Sequence, residues 1–305
     1  MTAVDPARLA RWCARHLGSP PAGELFRSGY LSAVIGLRLA DDREVVVKVR
    51  PHSRRIAACV EVQRRLFESG YPCPEPLTGA APLGDGVATA EAYVAGGAML
   101  PSAGRAARAF AEGFARLVLL APRPAEVPAL DPSPSWAAWS HAEPGLWPRP
   151  EDRDVYLNAV AGPAWIDNAG RRARDRLRAG ASCTVIGHCY WLAGNLRWSG
   201  DTLLVVHDWD SVTADSEAVL AGLAAALYST VNADELATVE ETERFLDAYC
   251  EARGREFSAD ELERSWAAGC WTRAYDAKYQ HAAGQPVRSL TDNQARERLR
   301  RAGTG

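Results

Sequence analysis

The sequence predicts an α+β protein with two lobes, a small β-rich N-terminal lobe and a larger, mainly helical C-terminal lobe. Three observations lead to this prediction. Short segments with the alternation of β-strands, such as EVVVKV, concentrate before about residue 95. Helical periodicity dominates after about residue 98. Between them, residues 92–97 form a glycine-containing connector, so we expect one lobe over residues 1–95 and the other over residues 96–305.

The N-terminal lobe is predicted to start with a helix that Asp5 caps and Pro6 opens. Within the segment EVVVKV, Lys48 alternates with valines, so it faces away from the neighbouring core side chains. The predicted elements of this lobe are a helix at 6–17, a strand before a glycine-containing turn, strands at 33–39 and 44–49, a helix at 53–70 and, within 86–97, a strand that runs into the glycine-containing connector.

The C-terminal lobe is predicted to be mostly helical. Its helical patterns cover residues 102–121, 151–179, 215–231, 235–253 and 258–283. Two short apolar strands at 183–187 and 203–207 form a hairpin-like unit, with the octapeptide HCYWLAGN, residues 188–195, between them. The segment 122–150 combines many prolines with three tryptophans, and we expect an ordered insertion because disordered segments are poor in tryptophan.

Composition excludes several classes of function. The 305 residues carry a formal net charge of −3, which gives no reason to expect nucleic-acid binding. No apolar run is long enough to span a membrane, and arginines interrupt the N-terminal stretch where a signal peptide needs an apolar core. Seven cysteines without CxxC spacing favour reduced thiols over disulfides or zinc. We therefore expect a cytoplasmic protein.

Four features follow one another in a fixed order along the chain. Lys48, one of only two lysines, lies on a strand, and Glu61 lies on the next helix. The loop that runs from His188 to Asn195 follows a short apolar strand, and Asp208 follows another. Phosphoryl transfer needs this set: a lysine on the phosphates, an acid that holds the lysine, and an Asn and an Asp for Mg²⁺.

The segment VIGHCYWLAGNLRWSGDTLLVVHDWDSV, residues 185–212, resembles the catalytic region of the aminoglycoside phosphotransferase and choline kinase group. These enzymes have a protein-kinase-like fold, and their usual pattern is H-G-D-x-x-x-x-N, a hairpin, and an apolar strand that ends I-D-W/F-D/E. In the first lobe, VVVKV, VEVQRRLFESGYPCPEP and ATAEAYVAGG agree with the lysine strand, the next helix and the hinge. The resemblance covers roughly residues 20–275. It implies an ATP- and Mg²⁺-dependent O-phosphotransferase that acts on a small molecule.

The resemblance also implies roles for single residues. Lys48 would contact the nucleotide phosphates and pair with Glu61. Asn195 and Asp208 would bind Mg²⁺, and His188 would brace the catalytic loop. The phosphates would be covered by the loop at 28–32, and the adenine would be held by the backbone of the hinge; the residues concerned are Ser28, Gly29, Ser32, Ala92 and Val94.

The chain departs from the pattern at two adjacent positions. Cys189 replaces the glycine and Tyr190 replaces the catalytic aspartate. The aspartate accepts the proton of the acceptor hydroxyl, a contribution worth about 10²–10⁴-fold in rate. A phenol with a pKa near 10 is protonated at neutral pH, so Tyr190 cannot be this base. Asp210 is the only nearby carboxylate along the sequence, and Trp271, Tyr275 and Asp276 are candidate contacts of the acceptor, with core packing as the ordinary alternative for the two aromatic residues.

Three hypotheses are open at this point. The chain could be an inactive member that binds a nucleotide or small ligand, a pseudokinase. It could be an enzyme that uses another base or moves another group, because a loose phosphoryl-transfer transition state asks little of a base. It could also be an altered form of a parent with H-G-D in the loop, since Asn195 and Asp208 are intact.

Overall fold

A computed structural model describes residues 4–29, 31–100, 106–179, 184–230 and 237–305, and it confirms the two-lobed α+β architecture. The small lobe contains an antiparallel sheet in the order β1-β2-β3-β5-β4. Its elements are α1 (Pro6–Leu17), β1 (Pro21–Ser28), β2 (Ala33–Leu39), β3 (Glu44–Pro51), α2 (Arg55–Glu68), β4 (Ala81–Leu83) and β5 (Gly86–Ala92). The Asp5 side chain accepts a hydrogen bond from the Ala7 N–H, so the predicted cap of α1 is confirmed.

The alternation along β3 divides its side chains between two environments. Val45 and Val47 are buried against α1 in the core of the small lobe. Lys48 and Arg50 lie on the other face of the sheet, as period-two geometry requires. In the antiparallel pairing of β3 with β5, Lys48 lies opposite Thr89 and Val46 opposite Glu91, so the long side chain of Lys48 reaches Glu91 diagonally.

Helix α2 connects the small lobe to the large one. Its apolar side chains Ala58, Val62 and Leu66 recur every four residues and therefore form one stripe. This stripe packs into the core of the large lobe rather than into the core beneath α1. The position of α2 is consequently set by the large lobe, and its polar face is presented to the sheet and to solvent.

The large lobe is built around α5, all of whose residues are buried. Helix α7 crosses α5 closely: a Cβ added at Gly222 would lie 2.1 Å from the Ser265 carbonyl oxygen, so only glycine fits. The helices of this lobe are α3 (Ala106–Leu120), α4 (Ala164–Arg178), α5 (Glu217–Leu227), α6 (Val239–Arg253), α7 (Ala259–Ala282) and α8 (Asp292–Arg301).

The polar unit of the large lobe contains two strand pairs rather than the single predicted hairpin. Its strands are β6 (Thr184–His188), β7 (Leu196–Ser199), β8 (Thr202–Val206) and β9 (Val212–Ser216). Strand β6 pairs with β9, and β7 pairs with β8. The prediction failed because residues 196–199, which follow the octapeptide directly, themselves form a strand. Residue 183, the predicted start of β6, lies outside the described residues.

One other helix prediction was wrong, and one helix was missed. The helical pattern at 151–179 begins only at Ala164, because Gly162 and Pro163 interrupt it. Helix α8 was not predicted, since its arginine-rich sequence hides the periodicity of its few buried residues. It begins at a capping box in which Thr291 and Gln294 exchange hydrogen bonds.

The insertion at 122–150 is ordered, as predicted, with short 3-10 turns at Pro124–Glu126 and Ser135–Ala137. Its residue Trp147 is buried and donates through Nε1 to Asp167 at 2.7 Å. The six cysteines within the described residues are buried and unpaired. No helix in the described part of the chain is long and apolar enough to cross a membrane.

Candidate functional site

Lys48 forms an ion pair with a strand residue. Its Nζ lies 3.0 Å from Glu91 Oε1, and the two side chains are 12% and 7% exposed. Gln63 on α2 completes the arrangement, since its Nε2 donates to Glu91 Oε2 at 3.0 Å and to the Pro74 carbonyl at 2.9 Å. The ammonium group is thus fixed where β3, β5 and α2 meet.

The charge of Lys48 is maintained by its surroundings. Burial lowers the pKa of Lys48, but the carboxylates of Glu91, Asp210 and Asp208 outweigh burial and leave the pKa raised. Lys48 therefore carries a full positive charge at neutral pH. The contribution of Asp208 and Asp210 also means that the motif of the large lobe faces the lysine of the small lobe.

The predicted pairing of Lys48 with Glu61 is wrong. Glu61 instead accepts a hydrogen bond from Arg65 Nε at 2.8 Å and lies 3.8 Å from Arg64 Nε. The reason is helical geometry: a residue two positions away points in a different direction, and in α2 it is Gln63 that points to the sheet. The acid that holds the lysine lies on β5.

The contacts of His188 are those of a structural histidine. Its ring is buried; Nδ1 accepts a hydrogen bond from the Tyr190 N–H at 3.3 Å, so Nε2 carries the proton and donates to the His207 carbonyl at 3.0 Å. Burial lowers the pKa of His188 to about 4, so the ring is neutral at pH 7. This geometry supports a bracing role in the loop.

Cys189 is part of the core and not a nucleophile. Its N–H and Sγ both donate to the Ser211 carbonyl, at 2.9 and 3.0 Å. Burial raises the pKa of the Cys189 thiol to about 12, which leaves it protonated. Among the described residues other than glycine, only Asp42 and Asp208 have positive φ, so the replacement of glycine by Cys189 causes no backbone strain.

Tyr190 lies in an aromatic and aliphatic environment. Its ring centroid is 4.8 Å from that of Trp136, which belongs to the insertion at 122–150. It also packs against Leu192 and Leu227. Where the resembling enzymes have a carboxylate, this chain therefore has a ring held by other side chains.

Asn195 and Asp208 have the features of metal ligands. The Asn195 backbone accepts a hydrogen bond from the His207 N–H at 2.8 Å, next to Asp208. Asn195 Nδ2 donates to the Tyr190 carbonyl at 3.0 Å, and the Ser211 hydroxyl donates to Asp208 Oδ2 at 2.7 Å. Within the described residues, the Oδ1 atoms of Asn195 and Asp208 have no hydrogen-bond partner, so both can accept a cation.

The conformation and protonation of Asp208 also mark it as unusual. Its φ of 63° lies in the left-handed region, which residues other than glycine adopt uncommonly. Burial, followed by the charge of Asp210, raises the pKa of Asp208 to about 6. The donor set fits Mg²⁺, which is bound by one or two carboxylates together with substrate phosphates rather than by a complete protein cage. No group of three His, Cys, Asp or Glu side chains suited to a metal occurs among the described residues.

Asp210 forms an ion pair with a residue of the small lobe. Its Oδ1 lies 2.8 Å from Nη2 of Arg50, which is 8% exposed and also donates to Thr89 Oγ1 at 3.1 Å. The arginine and the aspartate come from β3 and from the 3-10 turn Trp209–Ser211, so this ion pair joins the two lobes.

The structure shows different features at the hinge and at the turn of the small lobe, the two segments predicted to hold the adenine and cover the phosphates. The Ala92 and Tyr93 N–H groups donate to the carbonyls of Glu75 and Glu44, whereas the Val94 N–H has no hydrogen-bond partner in the described chain. At Gly29, φ is 114° and a Cβ would lie 2.0 Å from the Ser32 carbonyl oxygen, so this turn requires glycine. Tyr30 lies outside the described residues, and the role of Ser28, Gly29 and Ser32 stays a prediction.

The three candidate acceptor contacts on α7 differ in how deeply they are buried. Trp271 is fully buried and packs against Trp147 with 5.1 Å between ring centroids, so its predicted contact with an acceptor is wrong. Tyr275 is also buried. Burial raises the pKa of Asp276 to about 7, against the lowering effect of Arg273. Of the three, only Asp276 retains partial solvent contact.

Sequence reasoning missed Glu91, Gln63 and Arg50. Gln63 and Glu91 lie in segments that the sequence placed correctly, as a helix and a strand, whereas Arg50 lies one residue past the predicted end of the strand at 44–49. The alternation of β3 contained a signal for Arg50, because it shares a face with Lys48. Glu91 could be found only from the register of β3 with β5, which a single sequence does not reveal.

The architecture is shared with solved structures of kinases. A choline/ethanolamine kinase family protein from Mesorhizobium loti is 17% identical, with a TM-score of 0.56 over 98% of this chain and 92% of that chain. A macrolide 2′-phosphotransferase from Brachybacterium faecium is 15% identical, with a TM-score of 0.55 over 95% of this chain and 97% of that chain. A spectinomycin phosphotransferase is 12% identical, with a TM-score of 0.59 over 96% and 93%. The chain has their fold.

This protein-kinase-like fold extends over nearly the whole chain, and it is the fold that the octapeptide and its flanking motifs predict. No protein-family model matches the sequence. No curated protein matches it either. Function must therefore be argued from the residues of the cleft.

Proposed function

We propose that this chain binds a nucleoside triphosphate with Mg²⁺ and transfers the terminal phosphoryl group to a hydroxyl of a small molecule. The observation that carries the proposal is the convergence of a charged lysine with two unpartnered ligand oxygens. Lys48 comes from the small lobe, and Asn195 and Asp208 come from the large lobe. Phosphoryl transfer depends almost entirely on such positioning and charge neutralisation.

The nucleotide would lie between the lobes. Its adenine would meet the backbone of the hinge, where the Val94 N–H is unpartnered in the described chain. Its phosphates would meet Lys48, and Asn195 Oδ1 and Asp208 Oδ1 would hold Mg²⁺ against them. When bound, the metal would neutralise charge that develops on the phosphate oxygens.

Known structures of the same fold support a nucleotide and a small-molecule acceptor. The spectinomycin phosphotransferase was solved with ADP and spectinomycin, and an amicoumacin kinase was solved with AMP-PNP and Ca²⁺. We extend the nucleotide and the class of acceptor, but not the antibiotic, to this chain.

The loop itself provides no base, and we propose that transfer is slow as a result. Tyr190 is a phenol and packs against Trp136, so it does not take the proton of an acceptor hydroxyl. A protein that binds a nucleotide or a small ligand without transfer is the second candidate. It is favoured by the same ring pair, since the side chains pack together where the resembling enzymes have a carboxylate.

The proposal is tested by binding and turnover together. We expect Mg·AMP-PNP to raise the Tm of the protein and Mg·ATP to be hydrolysed slowly. Asp208→Asn should lower the rate about 10³-fold, because a metal contributes several kcal/mol of charge stabilisation. Asp201→Asn, which changes an exposed aspartate of the β7–β8 turn, should leave it unchanged. Binding without any turnover would favour the second candidate, and absence of Mg·AMP-PNP binding would refute the proposed phosphotransferase.

A further inference from the structure

The carboxylates next to the loop differ in whether they already have a partner or a proposed role. Asp208 accepts a hydrogen bond from the Ser211 hydroxyl and is the proposed metal ligand. Asp210 is paired with Arg50 of the small lobe at 2.8 Å. Neither is therefore available to replace the base that position 190 lacks. A third carboxylate, Glu151, comes from a part of the chain that the sequence motifs do not include.

Glu151 directly follows the insertion at 122–150, and one hydrogen bond fixes it. The Ser135 N–H donates to Glu151 Oε1 at 3.1 Å. Within the described residues, Oε2 accepts no hydrogen bond, and the carboxylate forms no ion pair. The residue as a whole is exposed, so it is not enclosed in the protein core.

The same turn also reaches the loop. Trp136, the residue after Ser135, packs its ring against Tyr190 with 4.8 Å between the centroids. Helix α7 also packs against this turn, Ser135–Ala137. The charge of Glu151 acts on the thiol of Cys189, as the charge of Asp208 does. Glu151 is thus held by a turn that packs against both Tyr190 and α7.

The electrostatic environment suits a proton acceptor. Although Glu151 is exposed as a residue, burial of its carboxyl group raises its pKa. The Ser135 N–H and the charge of Arg55 oppose this increase. A carboxylate with a raised pKa binds a proton more strongly, and general bases work best when their pKa lies nearer the pH of the reaction.

We propose that Glu151 accepts the proton of the acceptor hydroxyl in place of the aspartate that Tyr190 replaces. The acceptor oxygen forms a bond to the terminal phosphorus, and the bond from that phosphorus to the bridging oxygen breaks. The nucleoside diphosphate leaves with the electron pair, and the hydroxyl proton moves to Glu151 Oε2. This inference rests on the proposed function and names the base for the same site.

The test uses the full chain, with water as the acceptor and release of phosphate from Mg·ATP as the readout. Glu151→Gln should lower the rate about 10²-fold, the lower end of the effect of a general base, and should leave the Kd for Mg·AMP-PNP unchanged. The matched control is Asp154→Asn, because this nearby aspartate has a fully exposed side chain and only a long ion pair, 3.6 Å, with Arg149. The control should have the wild-type rate.

A second variant separates a lost base from a damaged fold. Adding Tyr190→Asp to Glu151→Gln should restore turnover, because the loop then supplies its own carboxylate. Failure of this rescue, an unchanged rate in Glu151→Gln, or a wild-type protein that binds Mg·AMP-PNP but never releases phosphate would each overturn the role of Glu151. Absence of Mg·AMP-PNP binding would instead overturn the proposed function itself.

Discussion

The two halves of the proposed site differ in how their charged groups are paired. In the donor half (Lys48, Glu91, Asn195 and Asp208), every charged group faces a partner or an open ligand position. In the acceptor half (Tyr190, Trp136 and Glu151), two rings pack together and one carboxylate retains an oxygen without a partner in the described chain. The donor half has the groups that the proposed nucleotide site needs, whereas the acceptor half has no carboxylate at loop position 190.

In the proposed function, this difference would make nucleotide binding and proton transfer separable. Nucleotide binding would rely on charges that come from both lobes and are fixed by ion pairs such as Arg50–Asp210. Proton transfer relies on a single carboxylate at a single place. Substitution of one loop residue can therefore alter the second without affecting the first.

The largest expected effect concerns the donor half. Glu91→Gln leaves Lys48 without its buried partner, and breaking such a pair should lower the free energy of unfolding by about 3 kcal/mol. The increase in Tm on addition of Mg·AMP-PNP should exceed that of the wild type, because phosphates then replace the missing carboxylate. Urea unfolding and thermal shift measure the two effects.

Glu44→Gln is the control for this prediction. Its pair with Arg38 is exposed to solvent and screened, so stability should hardly change. If Glu91→Gln and Glu44→Gln behave alike, the donor half is not organised around the Lys48–Glu91 pair.

The acceptor half is tested by restoring its carboxylate. Tyr190→Asp should raise phosphate release from Mg·ATP about 10²-fold, the lower end of the range for a general base, because Glu151 already supplies part of this assistance. Replacement of Cys189 by glycine is not needed, since its backbone has no positive φ. Tyr190→Phe, which keeps the ring, is the control and should leave the rate nearly unchanged. A gain in both variants would mean that the phenol, not the missing base, limits the reaction.

The smallest effect concerns Asp276 on α7. Burial raises its folded-state pKa to about 7, above the unfolded value near 3.8, so the folded state binds this proton more tightly. The resulting stability is fully present below the unfolded pKa and is lost as the pH rises through about 7. The asparagine of Asp276→Asn does not titrate. As the pH rises from 5 to 8, the free energy of unfolding of this variant should therefore increase by about 1–2 kcal/mol relative to that of the wild type. This figure is reduced to allow for the partial exposure of Asp276.

Urea unfolding at the two pH values measures this gain, and Asp201→Asn should show no comparable trend. An equal change at both pH values would contradict the pKa assignment. If Asp276→Asn also keeps the wild-type rate of phosphate release, Asp276 does not belong to the reacting part of the acceptor half.

The sequence predicted the fold better than the site, for identifiable reasons. Alternation at β3 and the capped start of α1 are local signals, and both predictions were correct. The pairing of Lys48 depends on strand register and on which face of α2 meets the sheet, which are not local. Glu151 lies 39 residues from Tyr190, and only the packing of the insertion brings its charge to the loop. Chemistry assembled across such separations could not be derived from a single sequence.

The central claim is that the donor half binds Mg·nucleotide independently of the altered loop. Calorimetric titration with Mg·AMP-PNP tests it most directly in three proteins: the wild type, Tyr190→Asp, and the charge-neutral double variant Lys48→Met, Glu91→Gln. We predict equal affinity in the first two and loss of most of the affinity in the third. Binding that requires Tyr190→Asp, or that survives unchanged in the double variant, would contradict the account.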